Sequence, residues 1–163
     1  MLSCSFTGHR QIKKEHLGHL PDFIFRAIEY AYAKGCRRFM TGGAIGFDTF
    51  AAREIIKFRM IHPDAALVLV LPCEDQSDHW SSRHRDTYDY TLSQADEVIY
   101  MEQAYTPQCM KKRNRYIADR ADILISYISK EYSGAAQTVR MASGTCNEIY
   151  NLYPAIEKKL ALG

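Results

Sequence analysis

The segment Ala66–Leu71 reads Ala-Leu-Val-Leu-Val-Leu, apolar at every position and followed directly by Pro72. A strand with one wet face alternates apolar and polar residues, so an unbroken short run implies a parallel strand covered by helices on both faces. The preceding sequence supplies the partners. Leu2–Phe6 and Arg38–Thr41 are short strand-like runs. Between them Leu20, Phe23, Ile24, Ala27, Ile28 and Ala31 recur at helical spacing up to Gly35, a natural helix stop. Phe47, Phe50, Ala51, Ile55 and Phe58 form a second helical face, closed by His62-Pro63.

The alternation continues to the end of the chain. Pro72 is expected to end the apolar strand, with a polar stretch from Glu74 to Arg85 and a helix to about Ala95. Glu97–Met101 reads as strand four, and Pro107–Arg120 as a helix with Pro107 in its first turn. Ile123–Ile128 is strand five, Ser133-Gly134 turns into a helix over Ala135–Ala142, and Ile149–Tyr153 is strand six. No repeat, linker or low-complexity segment interrupts the pattern. The expected fold is α/β, a Rossmann-like, mostly parallel sheet of about six strands with helices on both faces, in one domain spanning 1–163. Ligands of such sheets bind beyond the carboxyl ends of the strands, near the point where strand order reverses. Function is therefore sought in the turns that follow strands.

Bulk properties exclude several classes. A formal charge of +2 does not by itself mark a nucleic-acid binder. Cys4, Cys36, Cys73, Cys109 and Cys146 are far apart and none has CxxC spacing, which argues against a zinc knuckle or a thioredoxin-like site. They read instead as small buried hydrophobes. Met1–Arg10 shows no signal-peptide pattern and no apolar run approaches the roughly 20 residues of a membrane span, so the expected location is cytoplasmic, without a membrane partner.

Five segments carry candidate chemistry. Thr7-Gly8-His9-Arg10 ends strand one with a glycine whose neighbouring amides can approach an anion and an arginine that can fork onto a phosphate. The competing interpretation leaves Gly8 to the turn and Arg10 to the surface. Thr41-Gly42-Gly43-Ala44-Ile45-Gly46-Phe47-Asp48 leads glycines into a helix start, an anion site in outline, though neither a P-loop nor GxGxxG. Asp48 there accepts from a ribose, holds a metal through water, or stabilises the helix start. The loop after strand three carries Cys73, Gln76, His79, Trp80, Arg83, Arg85 and Tyr88, and its lone tryptophan either stacks on a base or packs the next helix. Lys111-Lys112-Arg113-Asn114-Arg115 is largely a solvated helix face, but Arg113 and Asn114 cannot both share the side of Lys111 and Arg115, so one of them is expected to face the pocket. Tyr132–Thr138 opens a helix at Gly134 after a small-residue turn, a further candidate anion site. Ser143-Gly144-Thr145 reads as an ordinary connection with Gly144 as the helix cap.

No nucleophile with a base at diagnostic spacing occurs, and neither does HExxH or a clustered set of metal ligands. His9, His79 and His84 are acid–base candidates by composition only. The stretches FTGHR, TGGAIGFDTFAA, LPCEDQSDHW, MKKRNRYIADRADILISYI and SGAAQTVRMA, in that order, resemble the YpsA-like family of the SLOG superfamily, which also includes DprA/Smf and the LOG phosphoribohydrolases. The resemblance implies a Rossmann-like fold and a pocket for a nucleotide-type ligand such as ADP-ribose, an NAD-derived molecule or a nucleoside phosphate, with no required cofactor or metal. It implicates Gly8, Arg10, Gly42, Gly43, Gly46 and Asp48, together with Trp80, Arg113, Asn114 and Gly134; His9 and Ala44 lie within the same turns. Where relatives often carry Gly-Gly-Thr this chain has Gly134-Ala135-Ala136, and the LOG signature PGGxGTxxE is absent. The expected function is binding or sensing of a phosphorylated nucleotide-derived ligand. The alternatives are an N-glycosidic hydrolase assisted by Asp48 and a DprA-like binder of single-stranded DNA along Lys111–Arg115. Relatives frequently dimerise, which makes a homodimer the candidate assembly.

Overall fold

The computed structural model describes all 163 residues. Strands β1 (Leu2–Gly8), β2 (Cys36–Thr41), β3 (Ala66–Cys73), β4 (Glu97–Glu102), β5 (Ile123–Tyr127) and β6 (Glu148–Asn151) form one sheet in the order β4-β3-β2-β1-β5-β6. Every pairing is parallel. Helices α1 (Leu20–Ala33), α2 (Phe47–Ile61), α3 (Ser82–Gln94), α4 (Cys109–Arg120), α5 (Gly134–Ala142) and α6 (Leu152–Leu162) connect and flank the strands. From β1 the chain builds outward to β4, then returns to the other side of β1 to lay down β5 and β6. Strand order therefore reverses between β1 and β5, and ligands of such sheets bind beyond the carboxyl ends of the strands near that point.

The two faces of β3 explain its unbroken apolar run. Leu67, Leu69 and Leu71 join Phe6, Phe39, Ile55, Phe58 and Ile156 in a core covered by α1, α2, α3 and α6. Val68 and Val70 point the other way, into a smaller core with Met40, Leu124, Ile117, Ala118 and Ala142 beneath α4 and α5. Four of the five cysteines are fully enclosed and all five are free thiols, in line with their reading as small hydrophobes. No helix is long and apolar enough to cross a membrane.

Several boundaries differ from the sequence-based expectation. β3 continues through Pro72 to Cys73; pairing with β2 has already ended at Thr41 beside Leu69, so the ring interrupts no ladder on that side. α3 starts at Ser82, inside the stretch read as a polar loop, because the Ser81 hydroxyl accepts from the His84 amide at 3.4 Å. Pro107 precedes α4, whose cap is Gln108, and does not sit in its first turn. The last strand stops at Asn151, whose side chain accepts from the Tyr153 amide at 3.2 Å and starts α6, a helix the period-two pattern had hidden. Ser143 occupies the cap of α5, with Gly144 just beyond it at an ordinary φ.

Candidate functional site

The turn after β1 is glycine-dependent because α2 begins against it. A Cβ on Gly8 would stand 2.5 Å from ring atoms of Phe47, the first residue of that helix. His9 then ties three turns together. Its amide donates to the Tyr127 carbonyl at 3.1 Å, and its carbonyl accepts from the Phe47 amide at 3.1 Å. Its ring Nε2 accepts from the Ser129 amide at 2.8 Å. An accepting Nε2 requires the neutral ring with its proton on Nδ1. Burial, and then the nearby Lys130 charge, lower the pKa of His9 and hold it in that form. The histidine is thus a structural acceptor here. Arg10, the next residue, is exposed and makes no ion pair or hydrogen bond through its guanidinium.

The turn after β2 is organised from within. Arg113 Nη1 donates to the Gly42 carbonyl at 2.5 Å, the Gly43 amide donates to Thr41 Oγ1 at 3.2 Å, and the Ala44 amide donates to Asp48 Oδ2 at 3.2 Å. Thr49 Oγ1 closes the turn by donating to the Ala44 carbonyl at 3.0 Å. Gly43 and Gly46 lie at φ +67° and +93°, where side chains are disfavoured. Gly46 also packs on Arg10, since a Cβ there would stand 2.6 Å from the Arg10 Cα. The Ile45 and Gly46 amides have no partner within the chain. The glycine turn and the Arg10 backbone therefore meet at one place, and Arg10 lines a cleft together with Ala44.

Asp48 and Arg113 are buried beneath this turn, 6% and 5% exposed. A Cβ on Gly42 would stand 2.8 Å from Arg113 Cζ and 2.9 Å from Asp48 Oδ2, so a glycine is needed between them. Burial pushes the Asp48 carboxyl up to about 6 against the opposing pull of Arg113 and of the Ala44 and Gly42 amides. Burial lowers Arg113 in turn, with Asp48 opposing. The α2 cap is Gly46, without a side-chain cap, and the Asp48 carboxylate folds back onto the turn instead.

Arg113 and Asn114 are both buried, where the helical wheel required only that one of them leave the face of Lys111 and Arg115. They share the inner side with Cys109, Ile117 and Ala118, while Lys111, Lys112 and Arg115 face solvent. Arg113 Nε donates to Asn114 Oδ1 at 2.9 Å, and the Asn114 amide nitrogen stands 3.7 Å from the Cβ position of Gly134 at the start of α5. The Ser133 hydroxyl caps that helix by accepting from the Ala136 amide at 3.0 Å. Trp80 does two things at once. It packs edge-on against Tyr88, with ring centroids 5.1 Å apart, and it walls a cleft of about 490 Å³ that also takes in Arg10, Ala44 and His79. His84 lies on the opposite side of Trp80, in a small cavity with Tyr88, and Arg83 and Arg85 are exposed. Sequence reasoning named Thr41 only as the residue opening the glycine turn, and it missed Tyr127 and Ser129, which join the site through contacts about 120 residues apart.

A model of the YspA SLOG family matches residues 7–153. The UPF0398 protein BCG9842_B3730 of Bacillus cereus (strain G9842) is 23% identical over 145 residues, covering 86% of this chain and 79% of that protein. The SPbeta prophage-derived protein YoqJ of Bacillus subtilis (strain 168) is 27% identical over 150 residues, covering 83% of this chain and 88% of that one. Among solved structures, DNA processing protein A from Helicobacter pylori, described for its single-stranded DNA binding mode, superposes with a TM-score of 0.64 at 16% identity. That match covers 92% of this chain and 64% of the other, so the chain spans less than two thirds of that protein's length, and the likeness is one of fold.

Proposed function

The chain belongs to the YspA SLOG family, and from that premise we propose that it binds a nucleotide-derived phosphorylated ligand, with a phosphate over the glycine turn of β2. The observation that carries this is that the Ile45 and Gly46 amides are unpartnered beside Arg10, whose backbone packs on Gly46 and whose guanidinium makes no ion pair. Outward N–H groups at a helix start favour an anion, and an arginine supplies forked donors to it. Both turns lie beyond the carboxyl ends of their strands, the end at which ligands of parallel sheets bind. Binding is favoured over N-glycosidic hydrolysis because the Asp48 carboxylate is enclosed and already accepts from Ala44. Thermal shift with ADP-ribose, NAD, nucleoside mono- and diphosphates and inorganic pyrophosphate tests the reading. A ligand at about 100 times its Kd adds about 2.7 kcal/mol and raises the midpoint by several degrees. Arg10→Ala should abolish that rise, and an unmoved midpoint across the panel would exclude the proposal.

A second reading, single-stranded DNA on the exposed Lys111 and Arg115 side of α4, is supported by the fold likeness to DNA processing protein A. It predicts mobility-shift binding that weakens steeply with salt and is lost in Lys111→Glu/Arg115→Glu.

A further inference from the structure

The cleft of about 490 Å³ beside the glycine turn is larger than a phosphate requires and falls in the size range of small-molecule sites. Arg10 forms one wall, next to the proposed phosphate position. The other walls come from the loop after β3, with Asp75, Gln76, Asp78 and Trp80, and from Tyr105 ahead of α4. Apart from His79, the polar groups these walls offer are acceptors. Asp75 and Asp78 are carboxylates that line the cleft, with the Cys73 thiol beside the carboxyl of Asp75. The Gln76 amide nitrogen is committed to the Tyr88 hydroxyl at 3.4 Å, which leaves its oxygen as the free end. A second phosphate would meet two carboxylates here and be repelled. A group rich in N–H donors would be welcomed. The flat surfaces suit a planar ring: Trp80 lines the cleft, and Tyr105 is 66% exposed beside it.

Resting on the phosphate reading above, we propose that this cleft is a nucleobase subsite selecting a base with two adjacent N–H donors, the N1–H and N2–H2 pattern of guanine. Adenine presents an acceptor at N1 to the same carboxylates, and hypoxanthine lacks the N2 amine. The ligand then lies with its phosphate over Gly42–Gly46 and its base toward Asp75 and Tyr105.

Trp80 is the only tryptophan, so its fluorescence reports occupancy of the cleft directly. Titration with GMP, IMP and AMP should give the tightest binding for GMP and about tenfold weaker binding for IMP, the loss expected for one hydrogen bond to a charged acceptor. The double variant Asp75→Asn/Asp78→Asn should bring GMP and IMP together without weakening calorimetric binding of inorganic pyrophosphate. Tyr105→Ala, at an exposed position, should weaken GMP without changing pyrophosphate. AMP or IMP binding as tightly as GMP, or an unchanged GMP-to-IMP ratio in the double variant, overturns the base assignment. Pyrophosphate binding without any base preference removes this inference and leaves the phosphate reading standing. Absence of both pyrophosphate and nucleotide binding removes the two together.

Discussion

Nδ1 of His16 lies 2.7 Å from the hydroxyl of Tyr127, and both side chains are fully excluded from solvent. The same hydroxyl accepts from the Lys13 amide at 3.2 Å, and the second ring nitrogen of His16 is Nε2. That nitrogen faces Glu157 Oε1 of α6 at 3.6 Å, an oxygen that Lys13 Nζ also reaches at 2.5 Å. Tyr127 closes β5, and its ring stacks on Phe47 at 5.8 Å with planes 10° apart. The segment that carries Arg10 is therefore anchored at its far end to β5 and α6, and at its near end to the start of α2.

Tyr127→Phe tests this anchor, because the ring stack on Phe47 survives and only the hydroxyl goes. It leaves His16 Nδ1 without a partner in a region shielded from water, and it removes the acceptor of the half-buried Lys13 amide. The expected loss of stability is about 1–3 kcal/mol. Hydrogen exchange should accelerate locally over Arg10–Leu17, while amides of β2 and β3 change only as far as global stability does. A lowered midpoint with unchanged exchange over Arg10–Leu17 would limit the hydroxyl to core stability and deny it the anchoring role.

Asp48 sets a pH dependence whose sign is opposite to that of an ordinary paired carboxylate. Its folded pKa of about 6 lies above the ordinary 3.8, so the fold binds the protonated form more tightly. The contribution is fully present below about pH 4 and is lost as pH rises through 6, at about 1.4 kcal/mol per unit and so about 3 kcal/mol in all. Asp48→Asn keeps an oxygen for the Ala44 amide and removes the titration. Urea unfolding of both proteins from pH 4 to 7.5 should show the variant gaining on wild type across that window. A flat difference would mean that Arg113 compensates the buried charge completely.

The parts of the fold legible in the sequence are those set by short-range pattern. The double-sided apolar run of β3, the helical faces of α1 and α2 and the glycine turn after β2 each announce themselves within a few residues. Pro72 misled because its effect depends on where β2 stops pairing, which no local rule contains. Tyr153 misled because a strand of four residues and the first turn of a helix present the same alternation, and the deciding hydrogen bond comes from Asn151. Arg113 was half legible. The wheel separates it from Lys111, but its partner, the Gly42 carbonyl, lies 71 residues away across the sheet. His16 carries no local signal of burial, which is created by Tyr127 and Tyr153 arriving from the other end of the chain.

Gly46 joins the two turns of the candidate site, and its substitution is the strictest test of their geometry. At φ +93° an L side chain is strained whatever its surroundings. A Cβ would also fall 2.5 Å from the Arg10 carbonyl carbon, and that neighbour is backbone that cannot swing aside. Gly46→Ala must therefore push the β1 turn away or unwind the start of α2, with an expected destabilisation of about 2 kcal/mol or more. The displacement carries Arg10 with it, so any anion-induced rise in midpoint should shrink as well. Gly144→Ala is the matched control: its φ is ordinary and nothing stands within 4 Å of the new Cβ. That change should be neutral or stabilise by up to about 1 kcal/mol, by narrowing the unfolded ensemble. Calorimetric midpoints would rank Gly144→Ala at or above wild type and Gly46→Ala well below it. Equal midpoints for the two variants would show that the approach of Gly46 to Arg10 is not a constraint on the fold.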